Sequence, residues 1–328
     1  MHLFGSIREI PITELEGLRI GNAQDYDAMT GVTVLLFDHG ARAGVDISGG
    51  GPASRETPLT SPLTADNPLN AIVLSGGSAF GLAASDGVMR YLEEHGIGYD
   101  TGFAKVPLVC QSCIFDLGIG RADVRPDAAM GYAACVDAEH PHPESGIVGG
   151  GTGASVGKIC GRDKAFKTGL GLYAVSCGEL KIAAVVVLNA LGDIFDPATG
   201  EKIAGPKKED GTGFYDTREE LYKISRRTDL FQNDPNSKTN TTIGAIITNG
   251  AFSKAELNKL ASMARCGYAR CINPVNTMAD GDSIYAASVG DVPADLNVAG
   301  TLAAEVMAEA IQRAVRAAGT KSSAVLPC

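Results

Sequence analysis

Residues 240–261 read NTTIGAIITNGAFSKAELNKLA, and this stretch decides the fold and frames the chemistry. Thr241 to Thr248 is a β-branched, aliphatic run that predicts a buried strand. Ser253-Lys254-Ala255-Glu256 follows as a capping box that opens a helix over Lys254 to Arg265. Upstream the composition changes abruptly. Residues 199–240 are rich in charge, prolines and turn formers, with one helix expected near Thr217 to Arg226. A connection that long between two apolar strands is functional or mobile. Thr241 therefore stands where a loop able to leave meets a strand able to hold it.

The rest of the chain supplies strands and helices in mixed order. Val32 to Phe37, Ala71 to Leu74, Ile182 to Leu188 and Ser283 to Val289 read as strands. Helices are expected over Ala79 to His95, stopping at Gly96, and over Thr301 to Ala318, stopping at Gly319 before a short polar tail. There is no strict βαβ alternation and no internal repeat, which favours an α+β layered fold over a doubly wound parallel sheet. The whole chain, 1–328, is expected to form a single catalytic domain.

Composition narrows the functional classes. The net charge is −10 over 328 residues, which argues against a nucleic-acid surface. The N-terminus lacks a basic start followed by an apolar run, and no apolar stretch is long enough to span a bilayer. A soluble, cytoplasmic protein with no membrane partner is the expectation. Eight cysteines include Cys110-x-x-Cys113, but no second such pair and no paired histidines at zinc spacing, so buried structural thiols are expected and no metal. Ser75-Gly76-Gly77-Ser78 and Gly149 to Gly153 do not match GxxxxGK[ST], which leaves a nucleotide-binding module as a weaker alternative of another class.

If the bond before Thr241 were cut, its α-amine would lie beside its own hydroxyl. An α-amine titrates near 7.7 to 8, so it can accept the hydroxyl proton near neutral pH. A threonine with a neighbouring N-terminal amine is one form of activated nucleophile. Taken alone, Thr241 and Thr242 also read as β-formers at a strand start, and Asn240-Thr241-Thr242 as a glycosylation acceptor, which the missing signal peptide disfavours.

Further stretches match a known pattern in order: residues 31–57, GVTVLLFDHGARAGVDISGGGPASRET; 70–94, NAIVLSGGSAFGLAASDGVMRYLEE; and 113–135, CIFDLGIGRADVRPDAAMGYAAC. GTGASVGKICG, VVVLNALGDIFD and ADGDSIYAAS follow. With residues 240–261 they resemble the P1 family of self-cleaving peptidases: L-aminopeptidase/D-esterases, β-peptidyl aminopeptidases and nylon-oligomer hydrolases. The resemblance implies a four-layer α/β/β/α sandwich of the N-terminal-nucleophile type and self-cleavage between Asn240 and Thr241, giving chains 1–240 and 241–328. It also implies hydrolysis of small peptides, amides or aminohexanoate oligomers through an acyl-Thr241 intermediate.

Residue by residue, the resemblance makes Asn189 a donor to the oxyanion or the Thr241 amine, and Lys158 the active-site lysine. Asp280 and Asp282 become an acidic pair holding Thr241, with Asp282 its direct partner. Gly76, Gly77 and Gly151 are expected to let the backbone approach substrate and to offer it N–H groups. Phe115 stands where some members carry a tyrosine, so that phenol is missing here. No cofactor is needed, because Thr241 supplies nucleophile and base. Homo-oligomers of processed heterodimers, tetramers among them, are expected. An acyltransferase resembling ornithine acetyltransferases is the nearer alternative, passing the acyl group to an amine rather than to water.

Overall fold

A computed structural model describes residues 7–140, 142–224 and 240–325 of the chain. Ten strands form its two large sheets: β1 Ile7–Glu9, β2 Leu18–Asp25, β3 Thr30–Ile47, β4 Ala53–Arg55 and β5 Leu69–Ser75 lead. β6 Val109–Cys113, β7 Leu170–Cys177, β8 Leu180–Val187, β9 Ile243–Gly250 and β10 Ser283–Val292 complete them. The hydrogen-bonded order is β1-β7-β8-β9-β10-β3-β5-β6-β4, with β2 on the remaining edge of β3. β3 belongs to both sheets: its first half pairs with β2 and β5, its second half with β10. The register shifts between Leu36 and Ala41, where Gly40 takes φ +73°. Only glycine enters that region without strain, and the kink turns the strand from one sheet to the other.

Alternation along the strands builds the layers. On β8, Ala183, Val185 and Val187 share one core with Ile72 and Leu74 of β5, between the sheets. Ile182, Ala184 and Val186 share another with Leu257, Leu260 and Ala264 of helix α4, Lys254–Cys271, and with Val306 and Ile311 of helix α5, Leu296–Val325. On the far side, Ala71 and Val73 pack with helices α1, Ala84–Glu94, and α2, Ala128–Asp137. The order is α/β/β/α, as the resemblance implied.

Several boundaries differ from the sequence reading. The Ser253/Glu256 capping box forms in full, but α4 runs on to Cys271 rather than stopping at Arg265. α5 begins at Leu296 and passes through Gly319, because its alanine-rich run holds helical geometry that one glycine does not break. Ser78–Ala83 forms a tighter 3-10 turn before α1. Thr217–Lys223 is the helix α3; the last two residues of its expected span, Ser225 and Arg226, lie outside the described residues, as does most of the connection leading to Asn240. No helix among the described residues is long and apolar enough to cross a membrane.

Candidate active site

Strand register explains why distant residues meet at Thr241. β9 and β10 run parallel with Ile243 opposite Ser283, so the residues entering both strands lie side by side. β8 runs antiparallel to β9 with Val187 opposite Ile243, so Asn189, two residues beyond, faces Thr241, two residues before. Thr241 thus precedes its strand rather than starting it. Its N–H donates to the Asn189 carbonyl at 2.9 Å, and Asn240 forms a parallel bridge with Asp280. The Thr241 hydroxyl donates to the carbonyl oxygen of Asn240, directly across the expected scissile bond.

Lys158 lies under this junction, almost fully buried. Its Nζ donates to the Asn189 carbonyl at 3.1 Å, Asn189 Oδ1 at 2.7 Å and the Ser155 carbonyl at 2.8 Å. Burial drives its pKa down to about 7, against the opposing pull of the Asp280 carboxylate. The Asn189 amide therefore faces the lysine: Oδ1 also accepts from Ser155 N–H at 3.1 Å, and Nδ2 donates to the Phe115 carbonyl at 3.2 Å. The Asn189 main-chain carbonyl in turn meets the Thr241 N–H. Phe115 joins the site through its carbonyl.

The acidic pair is buried and divided in task. Asp280 Oδ2 accepts from Thr277 N–H at 3.0 Å and Thr277 Oγ1 at 2.5 Å. Asp282 accepts from Thr242 N–H at 2.6 Å and Asn276 N–H at 3.0 Å. These bonds of Asp282 hold Thr242, the residue after Thr241, and Asn276. Burial raises the pKa of both carboxyls, Asp282 well above the ordinary range, where the neighbouring Asp280 charge adds to the effect.

The expected glycines lie beside a second buried cluster, and their N–H groups are engaged within the chain instead of facing a substrate. Gly76 N–H bonds the Gly31 carbonyl, Gly77 N–H the Asp116 carboxylate at 2.7 Å, and Gly151 N–H the Val148 carbonyl. Close approach, expected toward a substrate, is here toward protein: a Cβ on Gly76 would lie 1.9 Å from Asp116, and one on Gly151 2.1 Å from the Leu170 nitrogen. Gly149 and Gly150 likewise donate to Gln24 and Thr33, so this turn has the hydrogen bonding of a folded connection rather than of a phosphate cradle.

Sequence reasoning missed three contributors. Ser48 and Gly49 donate main-chain N–H groups to the Asp282 carbonyl at 3.0 and 3.1 Å, and Gly51 donates to Asp280 at 2.9 Å, so the turn after β3 cradles the acidic loop. Thr277, three residues before Asp280, was legible as a side-chain turn motif. Lys167 gave no such signal. Its Nζ donates to the carbonyls of Gly151, Ala154 and Thr168, and burial lowers its pKa to about 7, with Asp116 opposing. Asp116, itself raised to about 6 by burial, also accepts from Thr30 Oγ1 at 2.7 Å.

Two packed sheets between outer helices, α/β/β/α, are the architecture of the N-terminal-nucleophile type of fold. Solved structures share it. The L-aminopeptidase D-ala-esterase/amidase of Ochrobactrum anthropi, described as a new variant among the Ntn hydrolase fold, aligns with TM-score 0.69 at 17% identity, covering 94% of this chain and 86% of that one. A Burkholderia sp. beta-aminopeptidase aligns with TM-score 0.66 at 20% identity, covering 93% and 85%. The profile of Peptidase family S58 matches residues 11–324, and the chain belongs to that family. It is 36% identical over 305 residues to an uncharacterized aminopeptidase of Mycobacterium leprae, covering 86% of this chain and 79% of the relative. It is 32% identical over 323 residues to a 6-aminohexanoate-oligomer endohydrolase of Kocuria sp., covering 94% and 87%. The protein is a hydrolase of amide bonds.

Proposed function

We propose that the chain cuts itself between Asn240 and Thr241 and that the freed Thr241 is the nucleophile of the amide hydrolase. The observation that carries this is the Thr241 hydroxyl bonded to the Asn240 carbonyl oxygen in a buried setting. Attack by Oγ1 on that carbonyl carbon forms an ester as the C–N bond breaks. The hydroxyl proton ends on the nitrogen, and water then hydrolyses the ester. The new α-amine inherits the Asn189 carbonyl as its hydrogen-bond partner, with the Lys158 ammonium donating to the same oxygen. While Lys158 carries its proton, that nearby charge disfavours a second one on the amine and leaves it able to take the hydroxyl proton when a substrate arrives.

Substrates are linear amides presented as small peptides or aminohexanoate oligomers, which are acylated onto Thr241 and released by water. The names of the relatives, an aminopeptidase and an oligomer endohydrolase, support this range. The processed heterodimer assembles further into a homo-oligomer, a tetramer on the family pattern, in the cytoplasm. Denaturing mass spectrometry of freshly purified wild type and Thr241→Ala tests the core of the proposal. Wild type gives fragments 1–240 and 241–328, and the variant one intact chain. A wild-type chain that is active and uncut overturns it.

A further inference from the structure

We infer that the main-chain N–H of Gly281 is the oxyanion donor of the self-cleavage step, an inference that rests on the self-processing proposed above. Gly281 lies between the two aspartates, and its N–H points at the Asn240 carbonyl oxygen at 3.3 Å. That oxygen also receives the Thr241 hydroxyl. When Oγ1 bonds to the Asn240 carbon, the carbonyl π electrons move onto this oxygen, and it becomes the negatively charged atom of the tetrahedral centre. The hydroxyl ceases to be a donor to it at that moment, because its proton leaves toward the Thr241 nitrogen. Gly281 N–H stays. A donor slightly long for the planar carbonyl suits the oxygen that moves as the carbon becomes tetrahedral.

The surroundings fix this N–H in place. The Asp280 N–H bonds the Thr277 carbonyl, the Asp280 carbonyl takes the Gly51 N–H, and the Asp282 carbonyl takes Ser48 and Gly49. The Asp280–Gly281 peptide unit, which carries this N–H, is therefore held through its own carbonyl, and the 279–280 and 282–283 units flanking the turn are held as well. The residue must also be glycine. A Cβ would lie 2.7 Å from the Gly51 carbonyl oxygen and 2.9 Å from Thr241 Oγ1, pressing on the nucleophile itself. The acidic loop thus carries two functions: its carboxylates hold the neighbouring main chain, and the peptide between them meets the reacting oxygen.

The decisive test replaces the Gly281 amide N–H by an ester oxygen. A synthetic segment beginning at Cys266, whose thiol serves for ligation, carries glycolate at position 281 and is joined to residues 1–265; the full chain is then refolded. An all-amide chain made the same way is the control. We expect the control to cut at Asn240/Thr241 and the ester chain, folded by circular dichroism, to cut on the order of 10²-fold more slowly. Equal rates overturn the assignment of Gly281. An uncut control overturns self-processing itself, so the two failures are distinct. A recombinant Gly281→Ala chain keeps the N–H and adds a Cβ against Thr241 Oγ1, so it reads the need for glycine rather than the donor. It should remain uncut with hydroxylamine present, and rescue by hydroxylamine overturns the requirement for glycine at the attack step.

Discussion

Thr241 N–H and the Asn189 carbonyl are joined at 2.9 Å, and Lys158 Nζ reaches the same carbonyl at 3.1 Å. On the self-processing proposed above, the nitrogen that would become the catalytic amine is thus seated before any bond is cut, two residues outside the β8–β9 register. Asn189 carries this arrangement with its side chain as well, since Oδ1 accepts from both Lys158 and Ser155.

Asn189→Ala leaves the Ser155 N–H and a buried lysine short of an acceptor, at a cost of about 1–3 kcal/mol. Self-cleavage is expected to slow strongly, and thermal stability to fall. Asn189→Asp keeps an acceptor oxygen for each of these donors, so it should cleave faster than Asn189→Ala in a time course of fragment formation. Equal rates would show that the side chain does not act through Lys158.

Lys158 sets a pH dependence of known sign. In the folded chain it loses its proton near pH 7, against an ordinary value of 10.5. Between those values the unfolded chain binds more protons, so stability rises with pH across that window, and the whole cost of the buried ammonium is felt below it. Lys167, also lowered to about 7, acts in the same direction. In an uncut Thr241→Ala background, melting temperature should therefore rise less between pH 7 and 9 when Lys158→Met is added. An unchanged pH slope would mean that Lys158 does not titrate there.

How much of this was legible follows from what each feature depends on. The strand at Ile243 and the capping box at Ser253 are local, and the unbroken apolar run Ile182 to Leu188 on β8 reads as a buried strand without saying which side chains face which core. The acidic pair was visible as Asp-Gly-Asp, but its partner was not. Only the parallel register of Ile243 with Ser283 shows that Asp282 meets Thr242. The Asn189 amide suits a donor role by its identity, whereas the contact of its Oδ1 with Lys158 comes only from tertiary packing. Lys167 resembles any surface lysine in sequence, because three main-chain carbonyls leave no side-chain pattern to read.

Asp282 uses both carboxylate oxygens as acceptors, one for Thr242 N–H and one for Asn276 N–H. Asn offers a single oxygen, so Asp282→Asn sets its NH₂ against a main-chain N–H in a buried site. Destabilisation of about 1–3 kcal/mol is expected, with self-cleavage impaired because Thr242 is no longer pinned. Chemical denaturation and fragment analysis of the same preparation measure both. Normal stability together with normal processing would contradict the anchoring role.

The glycine turn after β3 gives a sharper contrast. A Cβ on Gly49 would lie 2.2 Å from the Asp282 nitrogen and 2.5 Å from the Asp280 carbonyl oxygen, both main-chain atoms that cannot swing aside. On Gly51 the nearest atom would be 3.9 Å away. Gly49→Ala is therefore expected to cost about 1–3 kcal/mol by overpacking and to displace the loop that carries Gly281. Gly51→Ala should change stability by no more than about 0.5 kcal/mol. Both substitutions keep the main-chain N–H, so the difference isolates space from hydrogen bonding. Equal melting temperatures for the two variants would show that the acidic loop is not braced by this turn, and the seat of the Asn240 carbonyl would need another support.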